Sequence, residues 1–171
     1  WDAATVGARL TMGGIEVESI EPAAAAFDGV VVGEVISVER HPGADKLTVC
    51  QVEGGHGRLQ IVCGAPNVRA GMKTPLALEG ATLPGGLVIH SARLRGVESA
   101  GMLCSARELG LTEEHEGILE LPAELATGTP LRAALALDDS ILTLNVTPNR
   151  GDVLSMIGVA REVAAIAGRK M

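Results

Sequence analysis

Two short stretches of this sequence set cations and hydroxyls at spacings that chemistry can use. In ARLRGVESAGMLCSARELGL, Ala92 to Leu111, Arg93 and Arg95 lie two residues apart. On a β-strand that spacing turns both guanidinium groups to one face and Leu94 to the other, toward a core. Ser99 and Ser105 supply hydroxyls and Gly101 permits a close backbone approach, so the stretch suits phosphate oxygens. In HPGADKL, His41 to Leu47, Pro42 and Gly43 shape a turn and Asp45 can bond local backbone, while turn chemistry gives no role to Lys46. Covalent chemistry is poorly served. A nucleophile elbow at Ser99 needs glycine two positions earlier, where Val97 stands. Cys104 has no histidine near it in sequence, and no P-loop, GxGxxG or HExxH pattern occurs.

The elements that would position these residues fall into two textures. At the two ends the pattern is helix and strand. Residues 2–12 read as a helix with Asp2 at its start and Gly13-Gly14 as its stop, followed by a strand from Ile15 to Ile20 and the connector EPAAAAF. Near the other end, Ile141 to Val146 alternates as a strand with Leu142, Leu144 and Val146 on one face. TPNRGD follows as a loop. Asp152 is then the expected N-cap of a helix over Val153–Ala167, with Gly168 just past its end. Its expected apolar face is Leu154, Ile157, Ala160, Val163, Ala164 and Ala167. Between the ends, VVVGEVISVER, KLTVCQVE, RLQIVCG, TPLAL, LVIHSARLR and GILEL are short strand-like runs parted by Gly- and Pro-rich turns, spaced as in a small barrel or sandwich. Neither end is long enough to bury a core by itself. The fold class expected is therefore α+β, with residues 1–27 and 139–171 pairing as a small discontinuous α/β domain and 28–138 inserted as the β-rich domain.

Composition narrows the classes. The 171 residues carry a net charge of −7, yet residues 40–107 hold eight bases against four acids, and residues 108–124 hold six acids and no base. A basic face can thus exist on an acidic chain. No run reaches the roughly 18 apolar residues of a membrane helix. The chain opens on Trp1 without a basic segment followed by an apolar core, which argues against a signal peptide and suggests a trimmed chain or a fragment. Cys50, Cys63 and Cys104 form no CxxC pair and read as reduced, buried thiols of a cytoplasmic protein, with no zinc-ligand spacing. Met12, Met72, Met102 and Met156 read as packing residues. There is no tyrosine, and Phe27 and Trp1 lie outside the β-rich middle, so this domain is expected not to stack bases on aromatic side chains and, if it binds RNA, to use backbone charge, shape and hydrogen bonds with little base readout.

HPGADKLTVCQV, LQIVCGAPNVRAG, ARLRGVESAGMLCSARELGL and EGILELP, in that order, resemble the tRNA-binding domain shared by several synthetases and free-standing tRNA-binding proteins. That resemblance implies an oligonucleotide-binding (OB) Greek-key barrel over 28–138. The flanks LTMGGIEVESIE and DDSILTLNVTPNRGDVLSMIGVAREVAAIAG look like the N-terminal region of the bacterial phenylalanyl-tRNA synthetase β-chain family. In that family the barrel is inserted into a small mixed domain. The resemblance further implies an α2β2 ligase that joins phenylalanine to its tRNA with ATP and magnesium, an α-chain partner, and reactive sites outside this segment. By motif, it carries RNA-facing roles onto His41, Lys46, Asn67, Arg69, Lys73, Arg93, Arg95, Ser99 and Ser105. A free-standing tRNA-binding protein, a largely structural barrel and a cysteine- or serine-dependent enzyme are the alternatives.

Overall fold

The computed structural model describes residues 1–113 and 116–170. In chain order the elements are α1 (Ala3–Met12), β1 (Glu16–Pro22), β2 (Asp28–Arg40), β3 (Thr48–Glu53), β4 (Arg58–Cys63), β5 (Lys73–Leu83) and β6 (Leu87–Val88). They continue with β7 (Ala92–Leu94), β8 (Val97–Ser99), β9 (Gly101–Leu103), α2 (Leu131–Ala134), β10 (Ser140–Asn145) and α3 (Met156–Ile166). The fold is α+β and mainly β. The chain divides into two compact units, Trp1–Ala23 with Asp139–Met171, and Ala24–Asp138.

In the smaller unit, β1 and β10 pair as an antiparallel ribbon from Glu16↔Asn145 to Pro22↔Ser140. The Asp2 carboxylate caps α1 by accepting from Thr5 N–H at 2.8 Å, and Gly13 ends the helix. Leu10, Ile15 and Val153 are buried, with Val6, Leu142, Leu144, Val159, Val163 and Ile166 packed on them.

The start of α3 differs from the sequence expectation. Pro148–Val153 winds into a 3-10 segment, and the N-cap is Ser155, whose Oγ accepts from Gly158 N–H at 3.0 Å. Asp152 instead takes a two-point contact from Arg150, 3.1 Å at each oxygen. The face of α3 packed on the core is Val159, Val163 and Ile166, which shares Val163 with the expected face, and Leu154 and Ile157 are exposed. Gly158 sits where a Cβ would fall 1.9 Å from the Asp152 carbonyl oxygen, so only glycine lets α3 begin against the 3-10 segment. At the other end Gly168 is left-handed (φ 65°), and the bonds Gly168 N–H to Ala165 O and Arg169 N–H to Ala164 O close a Schellman motif.

In the larger unit, the sheet order is β4-β3-β2-β5-β6, with β9 also on β5 and every pairing antiparallel. The long strands β2 and β5 curl the sheet: Asp28–Glu34 pairs with β5 and Glu34–Arg40 with β3. The curl is drawn together where Ala100 N–H donates to Gln60 O (2.9 Å) and Gln60 Nε2 to Glu98 O (2.8 Å). One core cluster gathers Phe27, Val30, Val32, Leu83, Cys104, Leu109 and Leu131; a second gathers Val35, Cys50, Val52, Ile61, Met72 and Leu76. Ala24 and Phe27, read from sequence as connector, are buried in this unit, and the Arg132 guanidinium lies 5.1 Å over the Phe27 ring. GILEL is not a strand; Leu121 makes a single bridge to Lys73.

Candidate nucleic-acid interface

The two motif stretches meet. His41 is 5% exposed, and its Nδ1 accepts from Gly43 N–H at 3.0 Å. That leaves Nε2 to carry the proton, which it donates to Leu94 O at 3.0 Å. One imidazole thus ties the loop 41–47 to the hairpin of β7 and β8. The loop closes on itself through Leu47 N–H to Ala44 O and His41 N–H to Leu47 O, both 3.1 Å. Lys46 is exposed on this loop and Arg40 at the end of β2. His41 is therefore a buried tie between two loops rather than a surface group.

The hairpin corrects the expectation for Arg93, Leu94 and Arg95. Leu94 pairs with Val97, so Arg95-Gly96 is a two-residue turn with φ of 49° and 90°. Such positive-φ turns match the twist of a tight hairpin. Arg95 is consequently in the turn and not on a strand face beside Arg93. Leu94 is 42% exposed: it stands next to the turn of a hairpin in which β7 pairs only with β8. Arg93 pairs with Glu98 at 2.9 Å on the exposed ribbon.

The other motif residues are drawn into the fold. Ser99, 3% exposed, accepts from Val62 N–H and donates to Gly101 O, each at 3.0 Å. Ser105 and Glu108 form a capping box: the carboxylate accepts from Ser105 N–H (2.6 Å) and Oγ–H (2.8 Å), and Ser105 Oγ accepts from Glu108 N–H (3.2 Å). Asn67 clasps Ile118 by donating to its carbonyl (2.9 Å) and accepting from its N–H (3.0 Å). Arg69 pairs with Glu120, and Lys73 donates to Leu125 O. Gly101 does make a close backbone approach, but to β5: a Cβ there would lie 2.5 Å from Ala77 O.

His41, Lys46, Arg93 and Arg95 therefore gather around one pair of loops, Asn67, Arg69 and Lys73 line the flank facing residues 118–125, and the two serines are internal. Arg40, Arg58 and Arg107 are exposed cations that make no ion pair among the described residues and lie outside the residues singled out by motif. Only the regional excess of bases signalled them.

Among the described residues nothing activates a nucleophile. Burial pushes the Cys104 thiol up to about 12, helped by the nearby Glu108 carboxylate. Burial likewise raises Cys50 and Cys63, and all three thiols are free and buried. Among the described residues no group of three His, Cys, Asp or Glu is placed to hold a metal ion, and no helix is long and apolar enough to cross a membrane. What the surface offers is binding: lysine and arginine heads held on short, braced loops.

Residues 30–130 match the model of the family described as "Putative tRNA binding domain". The whole chain is similar to phenylalanine–tRNA ligase β subunits. It is 63% identical over 161 residues to that of Bordetella bronchiseptica, covering 94% of this chain and 20% of the relative. To that of Aromatoleum aromaticum it is 58% identical over 169 residues, covering 98% and 21%. The chain spans about a fifth of the length of the curated relatives it matches. Among solved structures, a methionyl-tRNA-synthetase-related protein from Pyrococcus horikoshii aligns with a TM-score of 0.45 at 23% identity, over 59% of this chain and 86% of that one. By the match across residues 30–130, which lies within the larger unit, the chain belongs to the tRNA-binding domain family.

Proposed function

We propose that this chain is the non-catalytic, tRNA-binding N-terminal region of a phenylalanine–tRNA ligase β chain. In this reading, residues 28–138 form an OB-type tRNA-binding domain inserted into a small discontinuous domain made by 1–27 and 139–171. The ATP- and magnesium-dependent joining of phenylalanine to tRNA belongs to parts of the enzyme outside these residues. So do the contacts that build an α2β2 assembly with the synthetase α chain in the cytoplasm. One observation carries the binding role: within the unit matched by the tRNA-binding family model, His41 ties the Lys46 loop to the Arg93–Arg95 hairpin, so cations far apart in sequence share one end of the barrel.

Phosphate contacts of this kind release counterions and make affinity salt-dependent. Lys46→Ala with Arg95→Ala should weaken binding of labelled tRNA and flatten the slope of log affinity against log salt by up to about 1.5, since each phosphate contributes roughly 0.7–0.9. Fluorescence anisotropy across a salt series measures this. A second reading, a barrel whose role is structural, is favoured by the inward bonds of Asn67, Ser99 and Ser105. Absence of any salt-sensitive binding by the parent protein would decide for it.

A further inference from the structure

Three exposed apolar side chains of the larger unit stand around one depression. Leu87 and Val88 on β6 and Leu94 at the end of β7 are 54, 42 and 42% exposed. All three line an open cleft of about 580 Å³ together with His90. His90 is exposed and makes no hydrogen bond among the described residues. An adjoining depression shares Leu87 and is lined by Arg107. The cleft thus has Arg95 next in chain to its Leu94 wall and Arg107 beside its Leu87 wall. The acid that lines it, Glu108, accepts from the amide and hydroxyl of Ser105 through one carboxylate oxygen.

Aliphatic walls, an exposed imidazole and two exposed arginines, one next in chain to Leu94 and one lining the adjoining depression, combine the needs of a single nucleotide. The flat base wants apolar contact and a ring to stack on, and histidine is among the side chains that stack bases. The flanking phosphates want cations. A duplex keeps its bases stacked and can offer none of them to a cleft. An apolar peptide would fill the walls but leave the two arginines without counter-charges. We propose that this cleft seats one unstacked base of the bound RNA, stacked on His90 against Leu87, Val88 and Leu94, with the neighbouring phosphates on Arg95 and Arg107. The proposal rests on the tRNA-binding reading above and specifies an unpaired nucleotide as its ligand.

Three probes test it by anisotropy on the 171-residue protein: tRNA, a single-stranded oligoribonucleotide of about eight nucleotides, and a blunt RNA duplex. His90→Ala and Leu87→Ser change exposed side chains, and thermal melts check that each variant folds. Each should weaken tRNA and single-strand binding on the order of 5- to 100-fold, the range of one lost stacked base. Both should leave duplex binding and the salt slope unchanged. His90→Phe should restore what His90→Ala loses, since it returns a stacking ring without a charge. If tRNA binds and neither cleft variant weakens it, the base seat is overturned and tRNA binding stands. Equal weakening of duplex binding, or no rescue by phenylalanine, also overturns it. If the parent binds no RNA, both readings fall.

Discussion

The two units keep their apolar residues in very different ways. In the unit Ala24–Asp138, Val32, Val35, Cys50, Val52, Ile61, Leu76 and Leu131 are wholly inaccessible. In the unit built from the two ends, Leu10, Ile15 and Val153 alone form the buried apolar cluster among the described residues, while Met12, Leu154 and Met156 are 88, 73 and 86% exposed. A curled sheet encloses both of its long strands. One ribbon with two helices has too much surface for its volume. The smaller unit leans instead on local devices: the caps of Asp2 and Ser155, and Arg150, which joins Asp152, Glu162 and the Gly13 carbonyl. The difference teaches that a core can carry the barrel, whereas hydrogen-bonded helix ends must carry much of its companion.

That contrast makes Leu76→Ala the most damaging single change. Its site is wholly buried against Gly33 and Val52, and loss of a buried leucine costs about 2–5 kcal/mol. Urea unfolding followed by amide exchange should show Thr48–Leu83 losing protection first. A uniform loss over both units would dissolve the distinction. Next comes Gly158→Ala. The added carbon meets the Asp152 carbonyl, and overpacking of this kind costs roughly 1–3 kcal/mol. Protection should fall in α3 and α1 while the barrel amides stay unchanged.

Ser155→Ala should cost about 1 kcal/mol as a lost N-cap. A null effect on melting would return the cap to Asp152. The smallest effect concerns Asp152 itself. Its hydrogen bond from Arg150 holds its carboxyl below the ordinary carboxylate range. A depressed folded value contributes stability above the unfolded pKa of about 3.8, and that contribution is lost as pH falls through the folded value. Asp152→Asn should therefore lower the neutral plateau slightly and flatten the acid side of the stability profile below about pH 4, the two profiles converging once the parent's carboxyl is protonated. An acid limb identical to the parent's would show that the pair adds nothing.

Much of the fold was legible because its signals are local. The Asp2 cap, the Gly13 stop, the Gly168 terminus and the alternation of Leu142, Leu144 and Val146 each act within a few residues. Most runs of the barrel appeared as strands for the same reason. LVIHSARLR did not: it breaks into β6 and β7, and the turn Arg95-Gly96 reverses the chain where a two-residue period was assumed. Asp152 was misplaced as a cap because its partner, Arg150, competes for it two residues away. The expectation of little base readout left out the imidazole of His90, which also has a face on which a base can stack.

The sequence by itself determined the family motifs, the regional excess of bases and the periodicity that separates barrel from ends, since each is a property of neighbouring residues. It could not decide which polar groups remain free. His41, Asn67, Ser99 and Ser105 carry donors and acceptors that suit either RNA or the fold. Their partners are Leu94, Ile118, Val62 with Gly101, and Glu108. Three of these four residues reach across more than thirty positions of chain, to Leu94, Ile118 and Val62. A buried polar group must find a partner or forfeit its solvation. Only the tertiary structure reveals which partner it found, and so which cations and which cleft are left for a ligand.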